Sequence, residues 1–128
     1  MQDKQPTYGN GKICYLEIPA TDIETSASFY QKSFGWKVRK RSDGPVAFDD
    51  GVGEVSGMWV LNKKPMTEPG IIISIMVDDA EMTKRLIIEN GGRIVYSKTT
   101  DSGEVIVHFT DPAGNFMGVY QETSTGAH

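Results

Sequence analysis

Few side chains in this sequence of 128 residues can exchange a proton near neutral pH or hold an ion tightly. There are two histidines, His108 and His128, and one cysteine, Cys14. A site with two histidines and a carboxylate would need both imidazoles, and His128 is the final residue, where chains are usually mobile. A single thiol excludes an intrachain disulfide and a multi-thiolate zinc site. Cys14 lies between Ile13 and Tyr15 in an apolar run without a neighbouring base or cation, so it reads as a small buried hydrophobe. The acidic residues show no spacing suited to magnesium or calcium. The expectation is therefore no catalytic metal and no cofactor. His108 is the more informative imidazole. Over residues 104–110, Val105, Val107 and Phe109 alternate with Glu104, Ile106 and His108. The first set is wholly apolar and belongs in a core, which turns His108 to the other face of a strand. There it is either an acid–base group or a hydrogen-bonded strand residue.

Other chemistries are absent from the pattern. Gly51 and Gly53 lack the third glycine and the helix of a dinucleotide loop, and no phosphate cradle or nucleophile-elbow serine appears. Thirteen basic residues against seventeen acidic ones give a net charge of −4, which argues against a nucleic-acid partner. The one dense basic run, residues 37–41, reads as a solvated strand edge. No stretch approaches the ~20 apolar residues of a membrane span, and residues 1–10 carry no apolar signal core. No membrane partner and a cytoplasmic location are expected.

The elements that would position these groups come in two matching sets. Thirteen positions separate Asp22 from Gly35, and thirteen separate Asp78 from Gly91; an aliphatic residue, Val38 or Ile94, stands three beyond each glycine. Gly53 and Gly57 with Trp59 resemble Gly114 and Gly118 with Tyr120. In the first half, residues 11–18 alternate as a strand, and Thr21 with Glu24 forms a capping-box pattern. Ile23, Ala27, Tyr30 and Phe34 make one stripe of a helix that Gly35 ends. In the second, residues 71–77 read as a buried strand. Asp78 or Asp79 opens a helix, and residues 93–97, 104–110 and 115–121 supply three more strands. The result is an α+β chain of two βαβββ modules, residues 11–62 and 70–122, joined by a proline-containing linker, with flexible tails at 1–10 and 123–128. One curved sheet leaves a face unburied; two together should enclose an open groove, with the helices outside.

Residues 17–22 (Glu-Ile-Pro-Ala-Thr-Asp), then Ser28, Phe29 and Tyr30, then Phe34, Gly35 and Trp36, resemble the first-module signature of the vicinal oxygen chelate (glyoxalase/bleomycin-resistance/dioxygenase) superfamily. Asp111-Pro-Ala-Gly114-Asn115 resembles its last hairpin. The resemblance implies four inward-facing metal positions, which fall here on Tyr15, Gly57, Ile72 and Gly118. None carries the usual histidine or glutamate. The metal-dependent lyase, dioxygenase and thiol-transfer activities of the family are thus not expected, unless an atypical site exists.

If Tyr15 faces the groove, alternation brings Glu17 with it, Trp59 with Gly57, Ser74 and Met76 with Ile72, and Phe116 and Tyr120 with Gly118. Tyr15, Trp59, Ser74, Met76, Phe116 and Tyr120 then line the cavity, with the aromatic rings placed to stack on a small organic ligand where the two glycines remove bulk. The same rings equally suit a filled core. Glu17 is a candidate proton carrier beside His108, or a solvated rim residue. Three functions stay open: a metal-free small-molecule binder, a lyase or isomerase using Glu17 and His108, and a module whose groove is plugged by its own side chains. The resemblance also implies a homodimer.

Overall fold

A computed structural model describes residues 5–42 and 44–123. His128 and most of the tail expected after residue 122 lie outside the described residues, as do residues 1–4. The first module runs β1 (Tyr15–Pro19), α1 (Ile23–Phe34), β2 (Lys37–Lys40), β3 (Val46–Asp49) and β4 (Ser56–Val60). The second repeats it as β5 (Ser74–Met76), α2 (Ala80–Glu89), β6 (Arg93–Thr99), β7 (Val105–Thr110) and β8 (Phe116–Gln121). Each module is one four-stranded sheet, ordered β1-β4-β3-β2 and β5-β8-β7-β6. The first and last strands of a module pair in parallel and the remaining pairs are antiparallel. This is the expected α+β duplication, and neither sheet closes into a barrel.

Local chemistry explains the helix positions. Asp22, rather than Thr21, caps α1: its carboxylate accepts the amides of Glu24 and Thr25. Asp79 does the same for α2 through the amide of Met82. Gly35 closes α1 at φ 73°, in the left-handed region where a side chain would clash. The stripe forecast for α1 is buried at Ala27 and Tyr30, and Phe29 joins it.

Two differences bear on function. The strand expected over residues 71–77 is only three residues long; Ile71, Ile72 and Met76 are exposed, not buried. Residues 71–73 precede the strand, and β5 is an edge strand with one paired neighbour, so the apolar run is not the interior strand expected. More important is how the modules meet. α1 and α2 touch, Phe29 stacks obliquely near Phe109 at 5.9 Å, and the Ser33 hydroxyl donates to the Leu86 carbonyl. One buried core, with Trp59, Phe48 and Tyr30 on one side and Val107, Phe109 and Met117 on the other, runs through both modules. No strand of the first sheet approaches a strand of the second within 8 Å between Cα atoms, among the described residues. The sheets therefore share their helix-bearing sides, and each keeps an open face that the other module does not cover.

Asp111 fastens this arrangement. Its Oδ1 accepts the amides of Ala113, Gly114 and Asn115, and its Oδ2 accepts the Tyr30 hydroxyl at 2.7 Å and Asn115 Nδ2 at 2.9 Å. Asn115 Nδ2 also donates to the Pro19 carbonyl at 2.7 Å, while its Oδ1 accepts the Met66 amide. The turn of the last hairpin thus ties α1, β1 and the linker together. Burial, then the adjacent Asp111 charge, holds the Tyr30 phenol well above the ordinary tyrosine range.

Candidate ligand-binding faces

Strand register decides which side chains reach the open faces. In the first sheet Tyr15 pairs with Ser56 and Glu17 with Met58, so these four share one face. Leu16 pairs with Gly57 and Ile18 with Trp59, on the helix-bearing face. Trp59 is accordingly 1% exposed, its ring 4.8 Å from that of Phe48 and 6.1 Å from that of Tyr30. The placement of Trp59 and Gly57 on the groove wall is corrected: both belong to the core. Matching the two halves by their glycines put β4 one residue out of phase, which moves every side chain to the opposite face. A Cβ on Gly57 would meet the Leu16 carbonyl and come within 2.5 Å of Phe48 Cζ, so the glycine makes room for packing rather than for a ligand.

In the second sheet Gly118 does face outward, paired with Ser74 and with His108. It leaves no hollow either. Its absent Cβ would lie 2.5 Å from Ser74 Oγ and 3.3 Å from Ile72 Cγ2, so those side chains already occupy the space. Met76 pairs with Tyr120 on the same face. His108 lies between two rings, 5.4 Å from Tyr96 and 5.1 Å from Phe116 by centroid. The half-exposed Tyr96 completes this row and was missed in the sequence. It stands two residues from Ile94, which faces the helices, but a bulge between them turns Tyr96 to the open face. Its signal was its cross-strand position opposite His108. At the end of the row the Tyr120 hydroxyl donates to Glu104 Oε2 at 3.0 Å, and that hydrogen bond, with burial, raises the phenol's pKa.

Glu17 and His108 lie on different sheets. Glu17 is half-exposed on β1, with Lys63 Nζ 4.0 Å away. Nothing within one chain brings the two together. Cys14, expected to be buried, is exposed; it precedes β1 and lines a small recess of about 220 Å³ with Lys12, Glu54 and Ser56.

The donor chemistry does not fit the family's metal. Gly118 pairs with Ser74, and the residue so placed in the first module is Met58, paired with Glu17, so the four positions hold Tyr15, Met58, Ile72 and Gly118. The Ser56 hydroxyl is committed to Asp49 Oδ1 at 2.7 Å, and Arg39 grips both oxygens of that carboxylate at 3.0 and 3.1 Å. Burial opposes ionisation of Asp49, but the Arg39 and Ser56 hydrogen bonds outweigh it and lower its pKa. No cluster of three histidine, cysteine or acidic residues occurs among the described residues.

Comparison with known proteins agrees with this architecture. The profile of the glyoxalase/bleomycin resistance protein/dioxygenase superfamily matches residues 12–118. A glyoxylase-like domain-containing protein of Didymella fabae is 31% identical over 98 residues, spanning 66% of this chain and 71% of that one. Among solved structures, the fosfomycin resistance protein FosX of Mesorhizobium loti superposes with a TM-score of 0.70 at 14% identity, covering 92% of this chain and 97% of the other. TnmS3, an antibiotic-binding protein of a Streptomyces species, gives 0.66 at 20% identity, covering 91% and 100%. These structural matches concern the fold. By the extent of the sequence match, and with its four usual metal positions lacking histidine and glutamate, the chain belongs to the glyoxalase/bleomycin resistance protein/dioxygenase superfamily as a member without the usual ligand set.

Proposed function

We propose that this protein binds a small organic molecule on its open sheet faces without a catalytic metal, and that it does so as a homodimer whose second copy covers those faces. The observation that carries this reading is the row Tyr96–His108–Phe116. Three flat rings are held by strand pairing on a partly exposed surface, where an apolar or aromatic ligand gains both area burial and ring contact. Tyr15, Ile72 and Met76 add half-exposed to exposed apolar surface on the same faces. Such surface is costly to leave in water and favours a ligand or a second copy. TnmS3, which shares the fold and binds an antibiotic, is an analogy for this reading. A cytoplasmic location goes with this reading, given one unpaired cysteine and no helix among the described residues long and apolar enough to cross a membrane.

A lyase or isomerase using Glu17 and His108 needs the two groups within reach of one substrate, and within a single chain they stand on separate sheets. That chemistry would depend on a second copy bringing one chain's first sheet over the other's second sheet.

The test is titration of ¹⁵N-labelled, chelator-treated protein with 2-naphthol and quinoline, followed by amide shifts. Saturable shifts at Tyr96, His108 and Phe116, abolished in Tyr96→Ala, are expected. Shifts scattered over the surface without saturation would remove the binding reading.

A further inference from the structure

A second concavity lies where the modules meet, along the free edge of β5, so that Ile73, Ile75 and Val77 line it together with the open-face residues Ser74 and Met76. It measures about 690 Å³, within the range of small-molecule sites. Phe34, Val52 and Val55 form its wall from the first module, and Ile75, Val77 and Met82 from the second. Tyr96, His108 and Phe116 take no part in it.

Its charge is one-sided. Every ionisable residue lining it is acidic: Asp50, Asp78 and Asp79. None of the three makes an ion pair with a lysine, arginine or histidine among the described residues. Two are held in place by the backbone. Asp79 Oδ1 accepts the Met82 amide, and Asp50 Oδ1 accepts the amides of Glu54 and Val55. Asp78 and Asp79 are exposed and Asp50 is half-buried, so together they set a negative potential at the mouth of the cleft that water partly screens and added salt weakens.

The geometry points to a second binding site in this inter-module cleft, for an amphiphilic organic cation whose apolar body lies against Phe34, Val55 and Ile75 and whose ammonium or amidinium group lies in the field of the acidic lining, beside Asp50 of the first module or Asp78 and Asp79 of the second. An anion of the same shape is repelled, and a neutral analogue keeps the apolar contacts but loses the charge pairing.

The test uses the full-length protein and three probes of matched size: 4-phenylbutylammonium, 4-phenylbutanol and 4-phenylbutyrate. In amide-shift titrations the ammonium compound gives saturable changes at Val52, Val55, Val77 and Met82, weakened by added salt. The alcohol binds about five-fold or more weakly and the carboxylate not at all, as expected for partly exposed charge contacts. Asp50→Asn with Asp78→Asn, which preserves the acceptor oxygen for the loop amides, brings the ammonium down to the level of the alcohol. Met82→Trp fills the cleft and removes binding, whereas Tyr96→Ala leaves it intact. Equal binding of all three probes, no saturable binding, or shifts centred on Tyr96, His108 and Phe116 would overturn the proposal. So would sedimentation showing that Met82→Trp turns a dimer into a monomer, which would make the cleft a seat for a second copy.

Discussion

The two glycines that match in the duplicated halves face opposite ways, and alanine at each should separate their roles. A methyl group on Gly57 meets the Leu16 carbonyl, which is part of the parallel β1–β4 pair, and the Phe48 ring at 2.5 Å. Phe48 is fully buried, with Trp36 at 4.6 Å and Trp59 at 4.8 Å, and borders the inter-module cleft; the clash with the Leu16 carbonyl is with backbone and no rotamer change relieves it. Relief requires moving β1 away from β4. Overpacking a tight core costs about 1–3 kcal/mol and more when backbone must shift, so Gly57→Ala should lose about 3 kcal/mol or more. Against a domain stability of about 5–15 kcal/mol this is a large fraction. At Gly118 the nearest atom is Ser74 Oγ, at 2.5 Å, on an exposed strand residue that can change rotamer. Gly118→Ala should cost about 1 kcal/mol, and adding Ser74→Ala should recover most of it. Urea unfolding of the wild type and the three variants, with slopes compared, measures all of this. A Gly57→Ala protein as stable as Gly118→Ala would refute the assignment of Gly57 to the core and with it the register-based sorting of the faces.

Trp59→Ala should lose about 3–5 kcal/mol in the same assay, yet Trp59→Phe, if folded, should leave ligand affinity unchanged; a large affinity loss without destabilisation would return Trp59 to the binding surface. Asn115→Ala strands the Met66 amide, the Pro19 carbonyl and part of the Asp111 carboxylate, and should cost about 2–4 kcal/mol in denaturant unfolding; a loss below about 0.5 kcal/mol would dismiss the turn as a tie between modules. Tyr30 holds its proton in the folded state above the unfolded value near 10.0, so its contribution is complete below pH 10 and declines as pH rises toward the folded value. Stability of the wild type should therefore fall by up to about 1.4 kcal/mol per pH unit from this group above pH 10. Tyr30→Phe, weaker at pH 7, should lack that component; parallel pH profiles of the two proteins would contradict it.

The duplication was readable because an aspartate opens and a glycine follows each helix at similar spacing, although α2, capped by Asp79 and ending at Asn90, is two residues shorter than α1, 10 against 12; capping is a local event. The faces of β7 and β8 were readable too, since Val107 and Phe109 alternate cleanly with His108. The face of β4 was not. Its residues Ser56 to Val60 mix a glycine, a methionine and a tryptophan without polar alternation, and only pairing with β1, which is non-local, fixes their direction. Tyr96 was hidden by a bulge, a one-residue irregularity that period-two reasoning carries straight past. The sharing of helix-bearing faces by the two modules depends on Tyr30 meeting Asp111 across 81 residues of sequence and Pro19 meeting Asn115 across 96, contacts no local pattern announces.

Calorimetric titration of an open-face aromatic ligand, after exhaustive dialysis against a chelator and again with excess zinc or manganese, bears most directly on metal-free recognition. The affinity should be the same in both conditions and should fall in Tyr96→Ala. Binding that disappears with the chelator and returns with the ion would mean that a metal does hold the ligand, despite the phenol, thioether, aliphatic side chain and bare backbone at the four family positions.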